Sequence, residues 1–353
     1  MPERRLRVAV LFGGRSGEHE VSLASAANVM DALSGRHDVV PIGIDRAGKW
    51  LASGEAHDLL SHDRGIDGQE PARALANLAQ DSGGPIDVVF PVVHGTYGED
   101  GALQGFLEMA GLPYVGCGVL ASSLAMDKVM SKRVFREQGF LIPEYVWFRS
   151  GDWSADKQAE IEAVCRYPCF VKPANLGSSV GVSKAHDAAE LGPAIELAAR
   201  YDSKIVVEAA VPDAREIECA ILGNDQPQAS VPGEIVPSRE FYDYAAKYLD
   251  GTSELLIPAP LEPREAALVQ QQAVKAFLAL DCSGMARVDF LLSRQTGELY
   301  LNELNTIPGF TAISMYSKLW AASGVSQPEL VDRLLQLALE RHAARSGLST
   351  DYS

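Results

Sequence analysis

Two short stretches near the C-terminal end, Arg287-Val288-Asp289 and Glu303-Leu304-Asn305, hold the residue types most suited to chemistry. Alternate side chains of a strand share a face, so Arg287 goes with Asp289 and Glu303 with Asn305. Gln295-Thr296-Gly297 reads as a turn, and a hairpin centred on Thr296 sets Asp289 opposite Glu303 and Arg287 opposite Asn305. Val288, Phe290, Tyr300 and Leu304 then form the packing face. Two opposed carboxylates repel each other. A divalent cation reverses that penalty, and two carboxylates with an amide oxygen form a hard, incomplete oxygen set suited to Mg2+ shared with substrate phosphates. Arg287 beside them would neutralise phosphoryl oxygens. The plain alternative is a solvated hairpin face; the matched register and apolar reverse side argue for the metal.

A second candidate is the run from Lys172 to Gly181, KPANLGSSVG. Backbone N–H groups of a Gly/Ser loop cradle phosphate, and a lysine just before it adds charge. No Gly-Lys-Ser/Thr closes the run, so it is not a Walker A loop. Gly177 to Gly181 also fits the G-x-S-x-G pattern of a hydrolase with Ser179 as nucleophile, but that elbow needs a helix after it, and strand-like Val180–Val182 follows. Gly13-Gly-Arg-Ser-Gly17 follows the first apolar run, as an anion-binding strand-to-helix turn does. It lacks the G-x-G-x-x-G spacing, which argues against a dinucleotide oxidoreductase. Glu18 falls in the first helical turn, where a carboxylate favours the helix dipole. His94 ends another buried strand, at the edge where parallel sheets bind ligands. Residues 239–252 hold Phe241, Tyr242, Tyr244, Lys247 and Tyr248, the composition and length of a lid.

The elements that must position these residues alternate between strand and helix. Strands are expected at Leu6–Phe12, Val39–Ile44, Ile86–Val93 and Pro113–Val115, with helices from Glu18 to Leu33, near Ala72–Ala79 and from Gly101 to Ala110; 52–84 is otherwise irregular. That alternation predicts an open parallel sheet covered by helices. A second unit begins near Ser122, with a charged helix over 127–138, strands at Pro143–Phe148, Phe170–Pro173, Val180–Lys184 and Ile205–Glu208, and a helix at Ala188–Arg200. The remainder gives strands near 216–222, 231–236, 285–292 and 298–304 and helices over 263–279 and Pro328–Ala344.

Composition narrows the function. The 353 residues carry 47 Asp+Glu against 31 Lys+Arg, a net charge of −16, which argues against a general nucleic-acid binder. The five cysteines are scattered, with no C-x-x-C, as in a reducing compartment. No apolar run approaches a membrane span and no signal peptide precedes the first strand, so the expectation is a soluble cytoplasmic protein.

Seven segments in order resemble the D-alanine–D-alanine ligase family of ATP-grasp enzymes. They are LFGGRSGEHEVS at 11–22, HGTYGEDGALQG at 94–105, MDK at 126–128, FVKPANLGSSVGVSK at 170–184, FYDYAAKYL at 241–249, ARVDF at 286–290 and NELNTIPGFT at 302–311. The resemblance implies an α/β fold of three domains, 1–121, 122–212 and 213–353, with ATP between the central and C-terminal ones and a lid at about 236–256. It implies ligation of two D-alanines through a D-alanyl phosphate, with ADP and phosphate as by-products, for peptidoglycan precursors. Lys128, Lys172, Ser178 and Ser179 would hold ATP phosphates, Lys247 would approach the γ-phosphate, Glu208 would meet the adenine amine and Glu216 the ribose. Asp289, Glu303 and Asn305 would bind two Mg2+ ions; the resemblance leaves room for Mn2+ in their place and for a monovalent cation. Arg287 and the Gly309 N–H would form an oxyanion hole. Glu18 would anchor the first ammonium within a triad with Ser178 and Tyr248, Ser314 would bind the second carboxylate, and His94 would line the amino-acid pocket. The family also implies a homodimer, with no nucleic-acid or membrane partner.

Three positions depart from the family pattern: Ala209 stands where a lysine is common, Ser317 where proline is expected, and the Glu208–Glu216 spacing varies. Tyr248 favours D-alanine over D-lactate as second substrate. The rival readings are a D-alanine–D-lactate or D-serine ligase, another carboxylate–amine ligase of the same fold, a non-catalytic nucleotide-binding module and the oxidoreductase.

Overall fold

The structure, a computed structural model, describes residues 4–61, 84–237 and 253–349. It contains three sheets. In the first, β1 (Arg7–Gly13) lies parallel to both β2 (Asp38–Ile44) and β4 (Val88–Pro91), while the short β3 (Trp50–Ala52) runs antiparallel on β2. β1 is an unbroken apolar run because both of its faces are covered. Val8, Val10 and Phe12 pack with Val29 and Leu33 of α1 (His19–Leu33). Ala9 and Leu11 pack with Leu103 and Leu107 of the helix Ala102–Met109.

The second sheet has the order β5-β8-β6-β7, antiparallel throughout: β5 (Tyr145–Arg149), β6 (Cys169–Pro173), β7 (Ser183–Ala185) and β8 (Lys204–Ala209). Helices Ala155–Val164 and Ala188–Ala199 share its core through Ile161, Leu191 and Ile195. The third sheet is built from β9 (Ala214–Gly223), β10 (Gln228–Ala229), β11 (Gly233–Val236), β12 (Glu254–Leu256), β13 (Gly284–Ser293) and β14 (Leu299–Asn305). Its order is β12-β11-β9-β13-β14, with β10 on β9. The helix Pro263–Ala279 packs on one face. On the other, Ala220, Leu222 and Met285 join Val8, Phe12, Tyr316 and Leu334 in one cluster, so the first and third sheets share a core.

Several expectations are corrected. α2 (Ser53–Ser61) and β3 occupy the start of the stretch read as irregular; the helix expected at Ala72–Ala79 lies outside the described residues. The strand expected at Pro113–Val115 is a single bridge from Tyr114 to Val89. Val180 and Val182 lie in turns stapled to Gly177 and Ser179, and β7 begins only at Ser183. The helix Ala155–Val164 was not foreseen because Ile161 is its one buried side chain, too little for an apolar stripe. Helices Val119–Met126 and Met315–Ala322 were also missed.

The hairpin of β13 and β14 is the most informative. Phe290 pairs with Leu301 and Leu292 with Leu299, so the turn is centred between Gln295 and Thr296 rather than on Thr296. A β-bulge at Asn302 then shifts the register, and Asp289 meets Glu303 and Arg287 meets Asn305 as the sequence suggests. The expected register therefore holds at the polar end and fails near the turn. Leu301, 1% exposed, takes the core position assigned to Tyr300, whose hydroxyl instead donates to Glu298 at 2.8 Å. Leu301→Ala should accordingly cost about 2–5 kcal/mol of stability in urea unfolding, against about 1 kcal/mol or less for Tyr300→Ala. Equal costs would put the bulge elsewhere.

Candidate active site

β13 lies between β9 and β14, and its register brings three carboxylates into one row: Glu218, Asp289 and Glu303. Arg287 lies one pleat away on the same face. Its Nε and Nη2 each donate to Asp289 at 2.7 Å, and Nε stands 3.1 Å from Glu218. Burial alone would loosen its proton; the charges of Asp289 and Glu218 overcome this and raise the Arg287 pKa. Lys128 Nζ stands 3.6 Å from Glu303 and donates to the Leu176 carbonyl at 2.6 Å. Among the described residues, a guanidinium and an ammonium thus stand against the acidic row.

Beside the row lies a cleft of about 400 Å3 between the second and third sheets. Lys128, Lys172, Ser178, Ser179, Glu208, Glu216, Asp289 and Glu303 all line it. Lys172 projects from β6 and Glu208 from the adjacent β8; their side chains meet at 2.9 Å. The second Glu208 oxygen lies 3.2 Å from Lys132, a residue of the helix Lys128–Glu137 that sequence reasoning missed. Burial alone would raise the Glu208 pKa, but Lys132 and Lys172 lower it. Ser178 and Ser179 adopt left-handed φ values of 50° and 58°, an arrangement of successive backbone N–H groups suited to an anion. Ala209 also lines the cleft.

A second cavity of about 440 Å3 adjoins the first. Glu18, His94, Arg287, Asn305, Gly309 and Ser314 line it. Ser178 Oγ donates to Glu18 Oε1, so two members of the expected triad meet, one following β6 of the second sheet and one following β1 of the first. Close approach of Glu18 depends on Gly95, where φ is +76° and an added Cβ would stand 2.8 Å from the Glu18 carboxylate. His94 Nδ1 lies 3.1 Å from the Ile307 carbonyl and 3.4 Å from Glu99, and Nε2 lies 3.0 Å from Ser25. Burial works to lower the His94 pKa, yet Glu99 and Glu18 leave it raised; burial and the Glu18 charge likewise raise that of Glu99. Ser314 is the N-cap of the helix Met315–Ala322, and Ser314 and Met315 both line the cavity, so a helix N-terminus, which favours an anion, stands at its wall. Thr311 N–H donates to Ser314 Oγ at 3.0 Å, and the Gly309 backbone packs against the same hydroxyl. Lys247 and Tyr248 lie outside the described residues.

Sequence reasoning missed Lys132, Glu218 and Glu99. Lys132 had a signal, its i,i+4 spacing from Lys128, which places two cations on one helix face. Glu218 had one too: it alternates with Glu216 along β9.

The metal expectation is consistent with the donor chemistry. Asp289, Glu303 and Asn305 offer hard oxygens at matched register positions. Among the described residues, no group of three His, Cys, Asp or Glu side chains could hold an ion unaided. An incomplete set suits a hard cation that shares its remaining positions with phosphate oxygens and water.

Comparison with known proteins agrees. Residues 7–117 match the model of the D-ala D-ala ligase N-terminus and 134–336 that of the D-ala D-ala ligase C-terminus. The chain is 48% identical to the D-alanine–D-alanine ligase of Natranaerobius thermophilus, over 99% of each chain. It is 50% identical to that of Thermoanaerobacter sp., over 95% of this chain and 97% of the relative. The solved D-alanine–D-alanine ligase from Coxiella burnetii superposes with a TM-score of 0.81 at 36% identity, covering 97% of this chain and 96% of that one. The VanG D-Ala:D-Ser ligase from Enterococcus faecalis gives the same TM-score and identity, over 95% and 100%. The fold is therefore that of the ATP-grasp enzymes, which use ATP and a divalent metal. Within that class, the chain belongs to the D-alanine–D-alanine ligase family.

Removing the central cation should be costly. Arg287→Met removes the cation bonded to Asp289 and close to Glu218, and urea unfolding should show a loss of about 3–5 kcal/mol. A loss under about 1 kcal/mol would mean that the row is not electrostatically strained.

Proposed function

We propose that this chain joins two D-alanines into D-alanyl-D-alanine with ATP as the energy source, for peptidoglycan precursor synthesis. One observation carries the reading: the two cavities share a wall, formed by Lys128, Leu176, Gly177, Ser178, Glu218 and Glu303. A phosphate held in the first therefore abuts an amino acid held in the second.

The steps follow from the residues. Lys128 and Lys172 hold ATP phosphates beneath the Ser178–Ser179 loop, with Glu208 and Ala209 toward the adenine and Glu216 toward the ribose. Glu18, oriented by Ser178, takes the ammonium of the first D-alanine and directs its carboxylate toward Arg287. A carboxylate oxygen attacks the γ-phosphorus, the bond to ADP breaks, and an acyl phosphate results. Ser314 and its helix N-terminus take the carboxylate of the second D-alanine. Its amine, after losing a proton, attacks the acyl carbon; Arg287 and the Gly309 N–H stabilise the oxyanion, and phosphate leaves. His94, buried against Ser25 and Glu99, shapes the pocket. Two Mg2+ ions at Asp289, Glu303 and Asn305, replaceable by Mn2+, would neutralise charge on the phosphates. An acyl phosphate hydrolyses readily, so water must be excluded while it stands, and Lys247 and Tyr248 are the residues that the family resemblance assigns to that task. The division at 121 and 212, a homodimer and a cytoplasmic location complete the reading, and no helix among the described residues is long and apolar enough to cross a membrane.

The test is phosphate release from ATP and Mg2+ with D-alanine, alone and with excess D-lactate or D-serine, and identification of the product by mass. D-alanine-dependent release with D-alanyl-D-alanine as the main product is expected. A depsipeptide or a D-serine product would overturn the role of Tyr248, and ATP binding without turnover would favour the nucleotide-binding module. Ser178→Ala should raise KM for the first D-alanine about tenfold, the loss of one hydrogen bond to a charged group.

A further inference from the structure

Lys132 is an unusual side chain in this fold. It is 1% exposed, and it is absent from the lining of the nucleotide cleft, standing behind Glu208 instead. Its ammonium lies 3.2 Å from Glu208 Oε1, while Lys172 Nζ reaches Glu208 Oε2 at 2.9 Å. One carboxylate is thus shared between a lysine that faces the cleft and a lysine that does not. Taking an ammonium out of water costs several kcal/mol, and an apolar side chain of similar volume would usually fill such a place at lower cost. Lys132 also shares its helix face with Lys128, four residues earlier, and like charges at that spacing repel. Packing alone therefore does not account for a lysine here.

The charge around Lys172 does. Glu208, Glu303 and Glu216 all act on its ammonium. If Glu208 had Lys172 as its sole partner, the pair would be neutral and would offer a phosphate little attraction. With Lys132 behind it, two ammonium groups share that one carboxylate, and Glu208 offsets less of the charge that Lys172 presents to the cleft. We propose that Lys132 is a positioning residue for nucleotide binding: it offsets the charge of Glu208 from behind, so that Lys172 keeps its attraction for the phosphates of ATP. This rests on the reading of the first cavity as the ATP site. Lys132 touches no substrate; it acts through Glu208.

The effect should scale with phosphate charge and should be cancelled by neutralising Glu208. In Lys132→Met, calorimetry with Mg2+ should show ATP binding weakened about tenfold or more, the worth of one charge-assisted contact. Adenosine binding, measured by competition, and KM for D-alanine should stay within about twofold, a change of under 1 kcal/mol. The double variant Lys132→Met/Glu208→Gln removes the carboxylate together with its partner; Glu208 also faces the adenine, so adenosine affinity should fall, but the ratio of ATP to adenosine affinity should return to within about threefold of the wild type. Unchanged ATP affinity in the single variant, an equal loss for adenosine and ATP, or a double variant no better than the single would each overturn the proposal. If thermal melting shows the single variant unfolded, the double variant decides alone: a ratio of ATP to adenosine affinity more than about tenfold below the wild type overturns it. Wild-type protein that binds no ATP would instead overturn the reading of the cleft.

Discussion

Asp289 and Glu303 face each other across one strand pair, and most of the site can be understood as the consequence of holding those two carboxylates together. Glu218 adds a third charge from the next strand. A sheet face bearing three carboxylates in a row persists only where cations are supplied. Arg287 supplies one from β13 itself, bonded to Asp289 and close to Glu218. Lys128 supplies another, from a helix whose start is fixed by the Asp127 side chain capping Val129 and Met130. The negative charge that would bind a metal is therefore compensated by the same cations that would meet phosphoryl oxygens, and a metal–nucleotide complex would take over that compensation.

The three sheets divide the work. The third carries the acidic row. The second contributes Lys172 and Glu208 from adjacent strands, and the Gly/Ser loop that crosses to Glu18. The first delivers Glu18 at the start of α1 and His94 beyond β4, and its apolar core is continuous with that of the third sheet. That shared core fixes the amino-acid cavity against the acidic row. The Ser178–Glu18 hydrogen bond instead ties the first sheet to the second through a loop rather than through a shared core.

Where a residue's type and its neighbours along the chain determine its place, the sequence was legible. The helix Pro263–Ala279 has the expected bounds because Pro263 starts it and its apolar positions recur at helical spacing. The facing of Asp289 and Glu303 was legible from strand alternation. Its cause was not: an assumed turn on Thr296 compensated for an unseen bulge at Asn302, and the error surfaced at Tyr300 and Leu301. Bulges leave little trace in a single sequence because they add one residue without changing composition. The spacing of Lys132 and Glu218 was visible, but their roles were not: Lys132 acts on Glu208 of β8 and Glu218 on Arg287 of β13, and such pairings across elements exist only after folding.

The measurement closest to the centre of this picture is calorimetric binding of ATP to the wild-type protein and to Asp289→Asn, with and without Mg2+. Opposed carboxylates awaiting a metal require that Mg2+ strengthen wild-type ATP binding by about tenfold or more, and that Asp289→Asn lose most of that gain while keeping its metal-free affinity. ATP affinity indifferent to Mg2+, or an equal Mg2+ gain in the two proteins, would contradict the metal-site role of the Asp289–Glu303 pair.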